Sequence, residues 1–245
     1  MKKFLQAHNG ISARLVDKSD YDGIWSSSLC DSASRGVPDT EILKEVRVQN
    51  ISEMRMVANK PIMVDWDTGG DVRNFPYWLK RLEVAGANII VIEDKAFPKN
   101  NSLGSGEQVL EDVDRFCEKI SVGKKATKMK IFARIESLIA KKSIYNALVR
   151  ADAYIDAGAD GIVIHSKKEV SAKEVIDFEG EFRANYKNVP LVCIPTTYKL
   201  PEKHSFDYVI YANQLLRASV KAMKDYIDNK KTSLTTIEEL FNLIK

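Results

Sequence analysis

The nine residues Ala85-Gly86-Ala87-Asn88-Ile89-Ile90-Val91-Ile92-Glu93 recur as Ala157-Gly158-Ala159-Asp160-Gly161-Ile162-Val163-Ile164-His165. Each copy reads as a helix end, a glycine at the C-cap and a short β-branched run that stops at a polar group. A strand apolar on both faces belongs to a parallel sheet covered by helices. A helix–strand unit that repeats favours closing that sheet into a barrel.

The same alternation runs down the whole chain. Strands are expected at Gly23 to Trp25, Pro61 to Trp66, Asn88 to Glu93, Lys130 to Glu136, Gly161 to Ser166, Val189 to Thr196 and Tyr208 to Asn213. Helical spacing of apolar residues falls between them, as at Phe75 to Ala85, Val109 to Ser121, Ala140 to Asp156 and Gln214 to Asp228. This order predicts an α/β fold, a (β/α)8 TIM-type barrel, and 245 residues match the ~250 usual for one. The eighth strand, Phe4 to His8, is expected to be short and weak, ahead of a helix starting near Ser12. Residues 1–228 then form the barrel, and 229–245 a polar linker and an amphipathic helix with Ile237, Leu240, Phe241 and Leu243. That helix is free to pack on its own barrel or on a neighbouring subunit.

Composition narrows the partners. The 37 basic and 34 acidic residues are dispersed, for a net charge of +3, which gives no support to nucleic acid as a partner. Met1 to Leu5 begins like a signal peptide, but Gln6, His8 and Asn9 interrupt it. No run approaches the ~20 apolar residues of a membrane span, so no membrane association is expected. Cys30, Cys117 and Cys193 are widely separated, which suits the cytoplasm.

Function should lie at the C-terminal ends of the strands, which face one mouth in a barrel. Asp65, Asp67 and Glu93 come from adjacent strands, and like charges that close repel unless a cation lies between them. Hard oxygen donors suit Mg²⁺, which keeps several waters. Zinc is disfavoured, with no H-E-x-x-H and no cysteine beside the carboxylates. Arg134 and His165, opposite, are donors fit for a phosphoryl or carboxylate group. Each residue also has a plainer reading. Asp67 can cap the next helix, Arg134 can pair with Glu136, His165 can face solvent beside Lys167 and Lys168, and Trp25 can be packing. His8 and His204 read as structural or surface groups. Phe97 to Leu103, after the Glu93-Asp94-Lys95 strand end, reads as a mobile lid carrying Lys99.

These residues resemble a known family. Glu93-Asp94-Lys95-x-Phe97-Pro98-Lys99-x-Asn101-Ser102 is similar to the signature of phosphoenolpyruvate mutases, in the isocitrate lyase and phosphoenolpyruvate mutase superfamily. The likeness extends over nearly the whole chain. It includes Ala7-His8-Asn9-Gly10-x-Ser12-Ala13-Arg14, Ser32-Ala33-Ser34-x-Gly36-Val37-x-Asp39, Asp65-x-Asp67-Thr68-Gly69, Ala133-Arg134-x-Glu136, His165-Ser166-Lys167-Lys168, Pro195-Thr196-x-Tyr198 and Ala212-Asn213-x-x-x-Arg217-Ala218-Ser219.

The resemblance implies an isomerase that interconverts phosphoenolpyruvate and phosphonopyruvate with Mg²⁺, or with Mn²⁺ or Co²⁺ in its place. It implies Asp65 as the direct metal ligand, Asp67 and Glu93 on metal-bound waters, and Asp39 nearby. Ser27 and the backbone around Ser28 and Leu29, with Trp25 beside them, would take the substrate's carboxylate end. Arg134 and His165 would hold the phosphoryl group while Lys99, Asn101 and Ser102 close over it. The neighbouring activities separate at the lid. Phosphonopyruvate hydrolases typically carry Thr at the Asn101 position, and isocitrate and methylisocitrate lyases carry a Lys-Lys-Cys-Gly-His loop that is missing here. An oxaloacetate decarboxylase-like relative and a barrel without turnover are further alternatives. The chain departs from the family at Trp66, where a small residue is usual, and at Gly70-Asp71, which adds a carboxylate near the metal loop. The resemblance also implies a homotetramer with the last helix on a neighbouring barrel, and a following enzyme, a phosphonopyruvate decarboxylase or transaminase.

Overall fold

A computed structural model describes residues 1–231 and 233–245. Eight strands close a barrel in sequence order, each parallel to its neighbours, with β1 paired to β8. They are β1 (Lys2–Ala7), β2 (Gly23–Ser26), β3 (Ile62–Asp65), β4 (Ile89–Glu93), β5 (Lys130–Ile135), β6 (Gly161–Ile164), β7 (Leu191–Cys193) and β8 (Tyr208–Tyr211). Around them lie α1 (Gly10–Asp17), α2 (Ser28–Ala33), α3 (Lys44–Val57), α4 (Phe75–Val84), α5 (Val113–Ala126), α6 (Ile144–Asp156), α7 (Lys173–Asn185) and α8 (Gln214–Ile227). A last helix, α9 (Ile237–Ile244), follows the linker.

The repeated nonapeptide does the same job twice. Gly86 and Gly158 adopt φ of 96° and 101°, a region that glycine enters without strain. In both copies the amides on either side of the reversal bond back into the last helical turn, Ala87 to Leu82 and Ala159 to Tyr154. The next residue then caps a neighbouring strand, Asn88 accepting from the Ile62 amide and Asp160 from the Ile131 amide.

Strand period decides what reaches the mouth. Successive side chains alternate between the barrel interior and the helix layer. Ile89 and Val91 pack inside with Phe4, Trp25, Met63 and Phe132, whereas Ile90 and Ile92 join the larger core under the helices. Glu93 therefore follows Val91 inward, and by the same parity Asp65 follows Met63, Arg134 follows Phe132 and His165 follows Val163.

Three elements differ from the sequence reading. β1 is six residues long and paired on both sides; its exposed Lys2 and Lys3 hide a strand whose Phe4 to Ala7 are buried. β7 is cut to three residues, because Pro190 lacks an amide hydrogen and no regular pairing continues toward Pro195. α5 starts at Val113, capped by Asp112, since Leu110 pairs antiparallel with Lys95 and returns the chain from the lid.

The tail forms a helix as expected, with a Thr236–Glu239 capping box. In the single chain it lies against α1, where Lys18 Nζ donates to the carbonyls of Asn242 and Leu243. Neither α8 nor α9 has a buried residue, and Met223, Tyr226, Ile227, Leu240 and Phe241 are exposed. Among the described residues, no helix is long and apolar enough to cross a membrane.

Candidate active site

The inward residues at the mouth divide into two groups that share one arginine. On one side, Lys99 of the lid brings its ammonium 2.8 Å from Asp67 Oδ1, 2.9 Å from Glu93 Oε1 and 4.0 Å from Asp39 Oδ2. On the other, Glu136 collects Arg134 Nε at 2.6 Å, His165 Nδ1 at 3.1 Å, the Ser102 hydroxyl at 2.5 Å and Lys95 Nζ at 3.2 Å. Arg134 spans both groups, with Nη2 3.0 Å from Glu93 Oε2 and Nη1 3.6 Å from Asp65 Oδ2. The plain Arg134–Glu136 pairing is thus present, and it is what aims the rest of the guanidinium at the carboxylates.

Burial sets the electrostatics. Desolvation pushes the Asp65 carboxyl up to about 6, against the pull of Arg134 and Lys99. For Asp67 desolvation also acts upward, but Lys99 and Arg47 outweigh it and hold the carboxyl below its ordinary value. Glu136 is similar: burial opposes its charge, yet Arg134 and His165 keep it well below the usual range. Burial lowers His165 despite Glu136. Lys99 loses solvation too, but Glu93 and Asp67 keep it firmly charged.

The donor set fits a hard divalent cation. Asp65 Oδ1, Asp67 Oδ1 and both Glu93 oxygens are buried with no hydrogen-bond donor aligned on them, although Lys99 and Arg134 lie within ion-pair range of three of the four. Asp65 Oδ1 has neither a hydrogen bond nor an ion pair among the described residues, and a buried carboxylate oxygen in that state is expensive unless a cation satisfies it. Among the described residues, no three or more His, Cys, Asp and Glu side chains form a ready metal cage. An ion that keeps much of its own water and takes few protein oxygens matches such a site.

The lid is closed. Asn101 Nδ2 donates to Asp39 Oδ2 at 2.6 Å, Ser102 lies between Glu136 and Arg134 Nη2, and Lys95 Nζ donates to the Asn100 carbonyl at 2.9 Å. Phe97, 78% exposed, faces outward. The cavity beneath has ≈ 50 Å³, room for about three to five waters and far below the ~300 Å³ at which ligand pockets begin. Substrate admission therefore requires the lid to move.

Sequence-predicted residues mostly converge. Trp25, Ser27, Leu29, Asp39, Asp65, Lys99, Asn101, Ser102, Arg134 and His165 line this cavity. Ser27 caps α2 through the Cys30 amide, and the first amides of that helix are free of intrahelical partners. Trp25 is both packing and wall: it fills the barrel interior while lining the cavity. His165 is buried and does not face solvent. Its Nε2 has no partner.

Several plainer readings and one placement are corrected. Asp67 caps no helix; it takes a left-handed φ of 52°, and α4 starts later, after Asn74. The Ser28 hydroxyl turns to Asp67 Oδ2 at 2.9 Å. Asp71 pairs with Arg73 at the surface, outside the cavity. Trp66 points outward beneath Arg47 and against Trp78. His8 bonds Gln6 and His204 serves the Phe206 amide. Sequence reading missed Arg47 and gave no role to Lys95, although Lys95, two residues after Glu93, shares its inward parity.

Comparison with known proteins agrees with this geometry. The family model described as phosphoenolpyruvate phosphomutase matches residues 2–230. The phosphoenolpyruvate phosphomutase of Tetrahymena pyriformis is 35% identical over 260 residues, covering 98% of this chain and 85% of that protein. The phosphonopyruvate hydrolase of Variovorax sp. strain Pal2 is 37% identical over 237 residues, covering 90% of this chain and 79% of that one. A crystal structure of phosphonopyruvate hydrolase in complex with oxalate and Mg²⁺ superposes with a TM-score of 0.88 at 31% identity, over 100% of this chain and 90% of the other.

Proposed function

The chain belongs to the phosphoenolpyruvate phosphomutase family, and from that membership we propose that it is an isomerase interconverting phosphoenolpyruvate and phosphonopyruvate. The observation that carries this reading is the closed lid, with Asn101 on Asp39 above the carboxylates and Ser102 against Arg134 and Glu136. Moving a phosphoryl group from oxygen to carbon succeeds only if water is kept away while the fragments recombine.

In this reading Ser27 and the first turn of α2 take the substrate carboxylate. Arg134 and His165 hold the phosphoryl oxygens as the phosphorus–oxygen bond breaks and the phosphorus–carbon bond forms. Lys99 leaves its carboxylate partners and follows the anionic substrate, and Asn101 keeps the lid shut. Asp65, Asp67 and Glu93, with Asp39 near, would hold Mg²⁺, or Mn²⁺ or Co²⁺. A bound ion supplies Lewis-acid stabilisation of the charge that develops on the pyruvyl oxygen.

Hydrolysis of phosphonopyruvate is the second reading, favoured by the similarity to the Variovorax enzyme. Asn101 places it second: it reaches Asp39 across the lid, at the position where the resemblance implies Thr in hydrolases. Following phosphonopyruvate conversion with and without Mg²⁺, in the intact protein and in Asp65→Ala, tests the assignment.

The proposal extends to assembly and context. Residues 1–228 are the catalytic barrel and 229–245 a tail exchanged onto a neighbouring subunit of a homotetramer; the unburied apolar faces of α8 and α9 support this. A cytoplasmic setting suits three free cysteines. A following decarboxylase or transaminase would consume phosphonopyruvate.

A further inference from the structure

Arg47 belongs to an outer helix, α3, yet it is 2% exposed and reaches the back of the carboxylate site. Its guanidinium lies over the Trp66 ring, 5.1 Å from the centroid. From there Nη2 donates to the Asp65 backbone carbonyl, Nη1 to Asp67 Oδ2 at 3.2 Å and Nε to Asp31 Oδ2 at 3.2 Å. Asp31 is itself fully buried and takes Asn50 Nδ2 at 2.9 Å.

The consequence falls on Asp67. Asp67 takes a left-handed φ of 52°, a conformation that a non-glycine residue keeps where its surroundings hold it. Arg47 and Ser28 both bind Oδ2. The other oxygen, Oδ1, is thereby turned to the lid lysine and the cation site. We propose that Arg47 is a positioning residue of the cation site, fixing the Asp65–Asp67 turn so that Asp67 offers one oxygen to the ion and keeps the other on the scaffold. The inference rests on reading these carboxylates as the site of a divalent cation.

Charge and geometry act in opposite directions here. Removing the arginine charge alone would favour a cation nearby, by Coulomb's law. Losing the planar fork would free the Asp67 carboxylate and loosen the site. Arg47→Lys keeps the charge and removes the fork, so it isolates the geometric part. Ser28→Ala removes the second anchor without leaving a buried charge unpaired.

Calorimetric titration of Mg²⁺ into the full-length metal-free protein, with a thermal melt of each variant, is the test. Binding about tenfold weaker in Arg47→Lys and a few-fold weaker in Ser28→Ala is expected, with both proteins folded and with Arg47→Lys turnover recovered at saturating Mg²⁺. A lowered melting temperature with unchanged Mg²⁺ affinity in these variants would make Arg47 a structural residue and overturn the proposal. If Arg47→Lys does not fold, unaltered affinity in Ser28→Ala overturns it. Absence of Mg²⁺ binding by the unaltered protein would sink the cation-site reading and this proposal together.

Discussion

Lys99 Nζ lies 2.8 Å from Asp67 Oδ1, so the lid closes by carrying a cation of its own into the carboxylate group. The same ammonium is 2.9 Å from Glu93. Lid position and site charge are therefore linked. Removing the ammonium should leave the carboxylates repelling one another and the lid without its main anchor. Lys99→Ala is expected to lower turnover by ~10² or more, the scale of losing one preorganised charge donor. Hydrogen exchange over residues 97–103 should rise in the metal-free variant. Unchanged exchange would show that Asn101 and Ser102 alone hold the lid.

Glu136 gives the acid limb of stability. Its folded-state carboxyl lies well below the ordinary 4.5, because Arg134, His165 and the other donors outweigh burial. A depressed carboxylate stabilises the fold above the unfolded value, and that contribution is lost as pH falls from about 4.5 through the folded value. Glu136→Gln should lower the melting temperature at pH 7 and flatten its decline on acidification below pH ~5. Parallel melting curves for the two proteins would contradict this.

Asn101 and Asp39 form the lid's latch at 2.6 Å. Thr is shorter and branched, and cannot keep this contact without moving the loop. Asn101→Thr should therefore admit water and raise phosphate release from phosphonopyruvate relative to phosphoenolpyruvate formation, by about tenfold or more on the scale of a lost hydrogen bond to a charged group. Product ratio by phosphorus NMR reads it. An unchanged ratio would remove Asn101 as the discriminating residue.

The tail tests assembly. Deleting residues 233–245 removes α9, whose residues are all at least partly exposed in the single chain. Light scattering on the truncated protein should report a smaller particle, with the barrel still folded. A stable oligomer of unaltered size would defeat the exchanged-helix arrangement.

Position at the strand ends made most of this site legible. Asp65, Glu93, Arg134 and His165 could be placed at one mouth because strand ends carry polar groups there. Strand parity separates Glu93-Asp94-Lys95 into alternating directions. Asp94 turns outward to Arg150 and Tyr154, while Lys95, 1% exposed, turns inward to Ser102 and Glu136. Reading the three as one charged edge concealed that division. Arg47 could not be found this way. It sits on a helix of ordinary polar pattern, and only the packing of α3 over Trp66 brings its side chain to Asp67. Nor does sequence spacing disclose Ser28 and Asp67 as partners, since the contact joins a helix start to a turn 39 residues away.

Phosphorus NMR of the purified protein with Mg²⁺ and phosphonopyruvate distinguishes isomerisation from hydrolysis in one spectrum. A phosphoenolpyruvate signal should appear at the expense of phosphonopyruvate, and be absent with Asp65→Ala and when Mg²⁺ is chelated. Appearance of inorganic phosphate in place of phosphoenolpyruvate would make the protein a hydrolase and contradict the role given to Asn101.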